Sequence, residues 1–172
     1  MAVIHRLVVS DSADLRALRV RALEAEPTAF GSTLERELLF EESVWRDRLD
    51  PKGHPHFGAF RDGTDLVGLV VAMPDASDST VVNLVGMWID PQDRGTGLAE
   101  ELIGEVVRWA FEQRAATVRL FVTEGNTRAE SVYRRVGFSR TGQTEIRSRD
   151  DATEVEMQLR IPHNDRFAAA NF

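Results

Sequence analysis

The sequence predicts an α/β (α+β) fold built on one mixed sheet, and three observations carry that reading. Short β-rich runs alternate with segments of helical periodicity. Residues 80–89 (TVVNLVGMWI) are nearly all apolar, as in a central strand covered on both faces. The strand–helix–strand order over 80–123 suits a parallel crossover, with antiparallel hairpins around it. A chain of 172 residues suits one domain and is short for two. No repeat, low-complexity tract or linker-like shift divides it, so one domain over 1–172 is expected.

Taken in order, residues 3–9 (VIHRLVV) read as a strand. Residues 10–12 offer helix N-caps, and Leu15, Leu18, Ala22 and Leu23 then recur at helical spacing until Pro27 and Gly31 open a loop. Ser32-x-x-Glu35 has capping-box spacing ahead of Leu34, Leu38, Trp45 and Leu49 on one face. That segment reads as one helix, or as two with a break near Ser43. Residues 51–55 form a loop. Strands at 56–61 and 65–73 are joined by Asp62-Gly63, a hairpin signal. A polar turn at 74–79 leads into the central strand. Residues 95 to about 113 are helical, with Leu98, Leu102, Val106, Trp109 and Ala110 on one face. Residues 117–123 alternate Val118, Leu120 and Val122 against Arg119, Phe121 and Thr123. A helix from about 126 to 135 is stopped by Gly137. Residues 138–147 and 153–160 close the chain as a strand pair, and 161–172 read as a tail, ordered or not, including Phe167 to Phe172.

Composition removes several function classes. Hydrophobic residues make up 42% and charged residues 28%, the balance of a globular protein. Twenty-one basic residues against 28 acidic ones, a net charge of −7, argue against a general nucleic-acid binder or a polybasic membrane binder, while leaving room for a local anion site. The absence of cysteine excludes disulfides, thiolate nucleophiles, thiol-based zinc sites and an acyl-cysteine intermediate. The N-terminal apolar stretch is broken by His5 and Arg6, unlike a signal peptide, and no run approaches the ~18 apolar residues of a membrane span. The cytoplasm is the default location. His54 and His56 flank Pro55 without further ligands close in sequence, so no metal is expected.

The segment 89–98 carries the chemistry. A buried strand ends at Ile89, Pro91 stops pairing, and a turn bearing Gly95 and Gly97 opens directly onto a long helix. The first N–H groups of a helix lack internal partners and sit at the positive end of its dipole. Glycines let an anion approach those amides, and Arg94 adds positive charge. This is a phosphate or pyrophosphate cradle. Neither standard alternative fits. A dinucleotide fingerprint would need glycine where Glu100 stands, and a P-loop would need lysine, whereas Lys52 is the sole lysine.

Gln92-Asp93-Arg94-Gly95-Thr96-Gly97 fits the pattern Q/R-x-x-G-x-G/A between a central strand and a long helix. Downstream, Asn126, Ala129, Tyr133 and Gly137-Phe138 follow N-x-x-A-x-x-x-Y-x-x-x-G-F. With both motifs in this order, the chain resembles the GNAT (GCN5-related N-acetyltransferase) superfamily, clearly over about 80–140. The resemblance implies a mostly antiparallel sheet with a central parallel βαβ and helices on both faces. It also implies acetyl-CoA as cosubstrate, lying in a V-shaped opening between the strand ending at Ile89 and the strand at 117–123. Backbone groups near Trp88 and Ile89 would bond the pantetheine arm. Amides of Arg94, Gly95, Thr96, Gly97, Leu98 and Ala99 would hold the pyrophosphate. Asn126 would hydrogen-bond the cofactor, and Tyr133 would stand beside its sulfur as general acid. Asn126 also reads as a helix N-cap. Arg128, Arg134, Arg135 and Arg140 offer themselves to the 3′-phosphate without distinction.

The acceptor side is less legible. An alkyl ammonium with pKa near 10.4 costs about 4–5 kcal/mol to deprotonate at pH 7, so a base is needed. The central strand carries no acid, leaving Asn83 as its polar interior candidate, with Glu35 and Glu124 elsewhere. The expected reaction is N-acetylation of a primary amine on a small molecule, in a ternary complex. Acetylation of a peptide or protein, a non-catalytic acyl-CoA sensor, and an interaction domain without CoA are the alternatives. A homodimer is open.

Overall fold

The computed structural model describes residues 2–162. In chain order the elements are β1 (Ala2–Arg6), α1 (Ser12–Ala25), α2 (Leu34–Leu38), α3 (Glu42–Asp47), β2 (His56–Arg61), β3 (Asp65–Pro74), β4 (Val81–Ile89), α4 (Leu98–Glu112), β5 (Thr117–Thr123), α5 (Thr127–Val136), β6 (Ser139–Ile146) and β7 (Thr153–Arg160). The strands lie in the order β1-β2-β3-β4-β5-β7-β6, antiparallel except for β4 and β5. The mixed sheet, the parallel βαβ and the helices on both faces are therefore as expected.

One face of the sheet is packed by α4 and α5. Leu98, Leu102, Val106 and Ala110 project from α4 onto Val118 and Leu120 of β5 and Met157 of β7, all 4% exposed or less. The other face is covered over β2 to β4 by α1 and α3, where Leu15, Leu18, Ala22 and Leu23 meet Trp45, Leu69 and Trp88. Burying each large apolar side chain contributes about 1.5–3 kcal/mol, so these two layers hold β3 and β4 from both sides. At the far edge of the sheet β6 is exposed along its whole length.

Local chemistry explains most boundaries. Asp62 and Gly63 turn with φ of +51° and +76°, and Thr64 N–H closes the hairpin on Arg61 C=O at 3.2 Å. Gly137, at φ +112°, ends α5.

Four expectations shift. β1 stops at Arg6, because Val8 N–H is taken by Asp11 at 2.9 Å and the chain coils into a short 3₁₀ turn before α1. Thr33, not Ser32, caps α2, accepting from Arg36 N–H at 3.3 Å. Leu38 is 48% exposed while Glu37 is 1% exposed, so the buried face of α2 lies one residue away from the apolar one. The helix after the glycine turn starts at Leu98 rather than Gly95.

His56 is the first residue of β2, and burial pushes its imidazole down to about 4, leaving it neutral at pH 7. Ile161, read as the start of the tail, is buried and its N–H donates to Ala116 C=O at 2.8 Å. Phe167 to Phe172 lie outside the described residues. No helix among the described residues is long and apolar enough to cross a membrane.

Candidate active site

β4 and β5 pair only where Val81, Val82 and Asn83 meet Thr117, Val118 and Arg119. Beyond those residues the strands separate. The cause is in β4, where the three residues Leu69 to Val71 of β3 face the four residues Val85 to Trp88 of β4 and Gly86 adopts φ +62°. This is a β-bulge with glycine in the left-handed conformation, which bends the strand out of register with its neighbour. A lone glycine inside an apolar strand was the signal for it in the sequence. The split is the floor of a cleft of about 1440 Å³, walled by β4, β5, the loop after α1, α5 and the β6–β7 hairpin.

At one end of the cleft stands the glycine turn. Asp90 caps a short 3₁₀ turn by accepting from Gln92 N–H at 3.2 Å, and Gly95 and Gly97 follow with φ of +81° and +92°. A Cβ added at either glycine would meet no atom within 4 Å, so both face open space. The N–H groups of Arg94, Gly95, Thr96 and Gly97 have no acceptor among the described residues, and those of Leu98 and Ala99 belong to the first turn of α4. Leu98 is buried in the core and anchors the helix start beneath them. The Thr96 hydroxyl turns back to Asp93 C=O at 2.8 Å.

The Arg94 side chain is held beside the turn by two partners. Its Nε donates to Ile89 C=O at 2.8 Å and its Nη2 to Glu26 at 2.6 Å. The guanidinium thus ties the turn to the loop after α1 and donates to the Ile89 carbonyl, which keeps a second lone pair. The Trp88 indole likewise packs into the α1–α3 core, leaving its backbone to line the cleft.

α5 supplies the opposite wall. Asn126 Oδ1 caps the helix by accepting from Ala129 N–H at 3.1 Å, while its Nδ2 has no partner among the described residues. Tyr133 leans on Phe138, with ring centroids 5.9 Å apart, and its hydroxyl donates to Met87 Sδ at 3.7 Å. Thioether sulfur is a weak acceptor, so this donor passes readily to a stronger one. Burial pushes the phenol up to about 12, which keeps it protonated at neutral pH. Of the four arginines near this wall, Arg134 and Arg140 pair with Glu130 and Arg135 with Glu100. Arg128 lines the cleft with no partner among the described residues.

The far end lies on the face away from α4 and α5. Asn83 is inside the cleft, but both ends of its amide are used. Nδ2 donates to Asp75 at 3.2 Å and Oδ1 accepts from Arg119 at 2.9 Å, while Arg119 also pairs with Asp75. Glu35 is exposed on α2 and Glu124 is exposed beyond β5, and neither lines the cleft. The carboxylate that reaches it from the sheet's closing strand is Glu154 on β7, opposite Thr123 of β5. The alternation of 153–160 (TEVEMQLR) makes Glu154 look like an ordinary solvent-facing strand residue, which hides it in the sequence. Across this end, Arg149 of the hairpin donates to Ser32 C=O at 2.8 Å and joins the two rims.

A family model described as "Acetyltransferase (GNAT) family" matches residues 17–138, more than two thirds of the chain and well beyond the two motifs. The chain belongs to the GNAT acetyltransferase family. This GNAT chain is 33% identical over 128 residues to a mycothiol acetyltransferase from Thermobispora bispora, covering 72% of this chain and 41% of that protein. It spans less than half the length of the curated relatives it matches. A GNAT acetyltransferase from Streptococcus pneumoniae superposes with a TM-score of 0.76 at 22% identity, covering 94% of this chain and 100% of that one. A Salmonella typhimurium structure containing its cofactor acetyl-CoA gives 0.76 at 15% identity over 99% of each chain. These two likenesses concern the fold.

Proposed function

We propose that this chain, acting as one domain, transfers an acetyl group from acetyl-CoA to a primary amine on a small acceptor, by direct attack with both substrates bound. The observation that carries this reading is the split between β4 and β5, which connects an open amide cradle on one face of the sheet with a walled space on the other. The cradle suits a pyrophosphate: it offers consecutive unpaired N–H groups, no side chain in front of them, and a helix N-terminus behind. Acetyl-CoA supplies an activated thioester carbonyl. In this assignment the amides of Arg94 to Ala99 hold the pyrophosphate, the β4 backbone from the bulge to Trp88 holds the pantetheine, and Asn126 Nδ2 donates to it. Arg128, the one unpaired arginine of its group on the cleft wall, meets the 3′-phosphate. Tyr133 gives its proton to the departing sulfur.

A small acceptor is favoured over a protein chain by the Arg149–Ser32 bridge, which closes the groove along which a peptide would lie. The Thermobispora relative, named a mycothiol acetyltransferase, points the same way. The test follows CoA release with a thiol reagent over amines, polyamines, amino acids, aminoglycosides and short peptides. A chain without cysteine contributes no thiol background. Release that depends on one amine class supports the reading. Binding of acetyl-CoA without turnover would convert it to a sensor, and no binding would overturn it.

Gly97→Val places a β-branched residue at φ +92° and a side chain in the cradle. It is expected to weaken acetyl-CoA binding by about 10–100-fold, roughly 1.4–2.8 kcal/mol by calorimetry.

A further inference from the structure

The alternation of β5 and β7 sorts their side chains cleanly between the two faces of the sheet. Val122 and Val155 enter the α4–α5 core, so Thr123 and Glu154, paired in register, project from the opposite face. Tyr133 reaches the split from the α5 side. A group threaded between β4 and β5 would therefore meet a protonated phenol from one face and a carboxylate from the other. Glu154 is held rather than free. Arg147 Nη1 donates to its Oε1 at 3.2 Å, while Oε2 has no partner among the described residues and the side chain remains 16% exposed. That leaves an oriented carboxylate on the cleft lining with one oxygen unpaired among the described residues.

We infer that Glu154 is the general base of the reaction, taking the proton from the acceptor's ammonium so that the amine can attack. This rests on the acetyltransfer reading above. The protons balance. The ammonium gives one to Glu154, which passes it to solvent. The neutral nitrogen bonds to the acetyl carbon as the carbon–sulfur bond breaks. The second proton lost from nitrogen replaces the one that Tyr133 delivers to sulfur.

The surroundings of Glu154 suit the task. Burial raises its carboxyl above the usual carboxylate range. Glu145, directly opposite on β6, and Asp150 in the hairpin turn raise it further, against the lowering charge and hydrogen bond of Arg147. A carboxylate of raised basicity is a better proton acceptor near neutral pH.

The experiment compares wild type with E154Q, using the amine that gives the fastest CoA release in the panel, between pH 6 and 10. At pH 7 the variant should be about 10²–10⁴-fold slower. The deficit should shrink as pH climbs toward the amine's own pKa near 10.4, because solution then supplies the neutral nucleophile. Acetyl-CoA affinity should stay within a few-fold. E154D, which keeps the carboxylate, should retain the wild-type shape of the profile at a reduced rate. Carboxyl NMR of the wild type, assigned by difference with the variants, should show Glu154 titrating above an ordinary glutamate.

A purely structural role would lower the rate equally at every pH and leave the Glu154 titration ordinary, and either result overturns the inference. Wild type without amine-dependent release would instead sink the acetyltransfer reading itself. E154Q matching an active wild type sinks only this one.

Discussion

Replacing Tyr133 with phenylalanine should lower kcat about 10²–10⁴-fold, with acetyl-CoA affinity held within a few-fold of wild type. The ring leans on Phe138 and packs against the apolar core of that face, contacts that phenylalanine keeps. The variant loses only the hydroxyl, whose partner is the Met87 thioether at 3.7 Å, so little stability is at stake. What goes is the proton donor for a departing thiolate. Tyr133 is the chain's only tyrosine, so no other phenol can replace it. Because burial pushes the group up to about 12, its loss of the proton should not cut the rate anywhere below about pH 10. Steady-state kinetics and calorimetry on the same preparation check both halves. A kcat equal to wild type would remove Tyr133 from the chemistry.

Glu37→Ala should destabilise the fold by about 3–5 kcal/mol, lowering Tm by on the order of 10 °C. Glu37 has a side chain only 1% exposed, bound by Arg19 Nε and Nη2 at 3.2 and 2.6 Å, with Arg48 at 3.6 Å. Truncation strands two guanidiniums in the layer between α1, α2 and α3, where they lie over Phe30 and Trp45. Burial alone would raise the Glu37 carboxyl, but the Arg19 hydrogen bond and the charges of Arg19 and Arg48 outweigh it, so it titrates below the usual range. A depressed folded-state value means the stabilisation is complete above the ordinary pKa of about 4.3 and is lost as pH falls through the folded one. The difference in stability between wild type and Glu37→Ala should therefore be constant near neutrality and narrow under acid. Arg19 also lines the cleft, so the substitution should raise KM for the acceptor more than for acetyl-CoA.

Glu37 also shows how far periodicity reaches. Apolar spacing puts Leu38 on the buried face of α2, yet the structure buries Glu37 and exposes Leu38. A pattern of hydrophobic residues has no access to the two arginines, 18 positions before and 11 after, that make a buried carboxylate tolerable. Arg94 is a parallel case at the site. Its position in the motif suggests a phosphate ligand, while Glu26, 68 residues away, draws its side chain to the loop after α1. Strand alternation assigns Glu154 to a solvent face, and only the position of β7 beside β5 turns that face into the wall of a cleft. Gly86 had a local signal that the apolar run around it masked.

What the amino-acid sequence determined by itself is what neighbouring residues decide. Leu15, Leu18, Ala22 and Leu23, and the stripe from Leu98 to Ala110, specify their helices and buried faces through spacing alone. Gly95, Gly97 and Gly137 specify turns through backbone freedom, and the two motifs specify the family. Tertiary structure alone decided the insertion of β7 between β5 and β6, the restriction of β4–β5 pairing to Val81, Val82 and Asn83, and which carboxylates Arg19, Arg94 and Arg119 meet. Those outcomes depend on contacts between residues tens of positions apart, selected by which arrangement buries the apolar faces and pairs the charges that are buried with them.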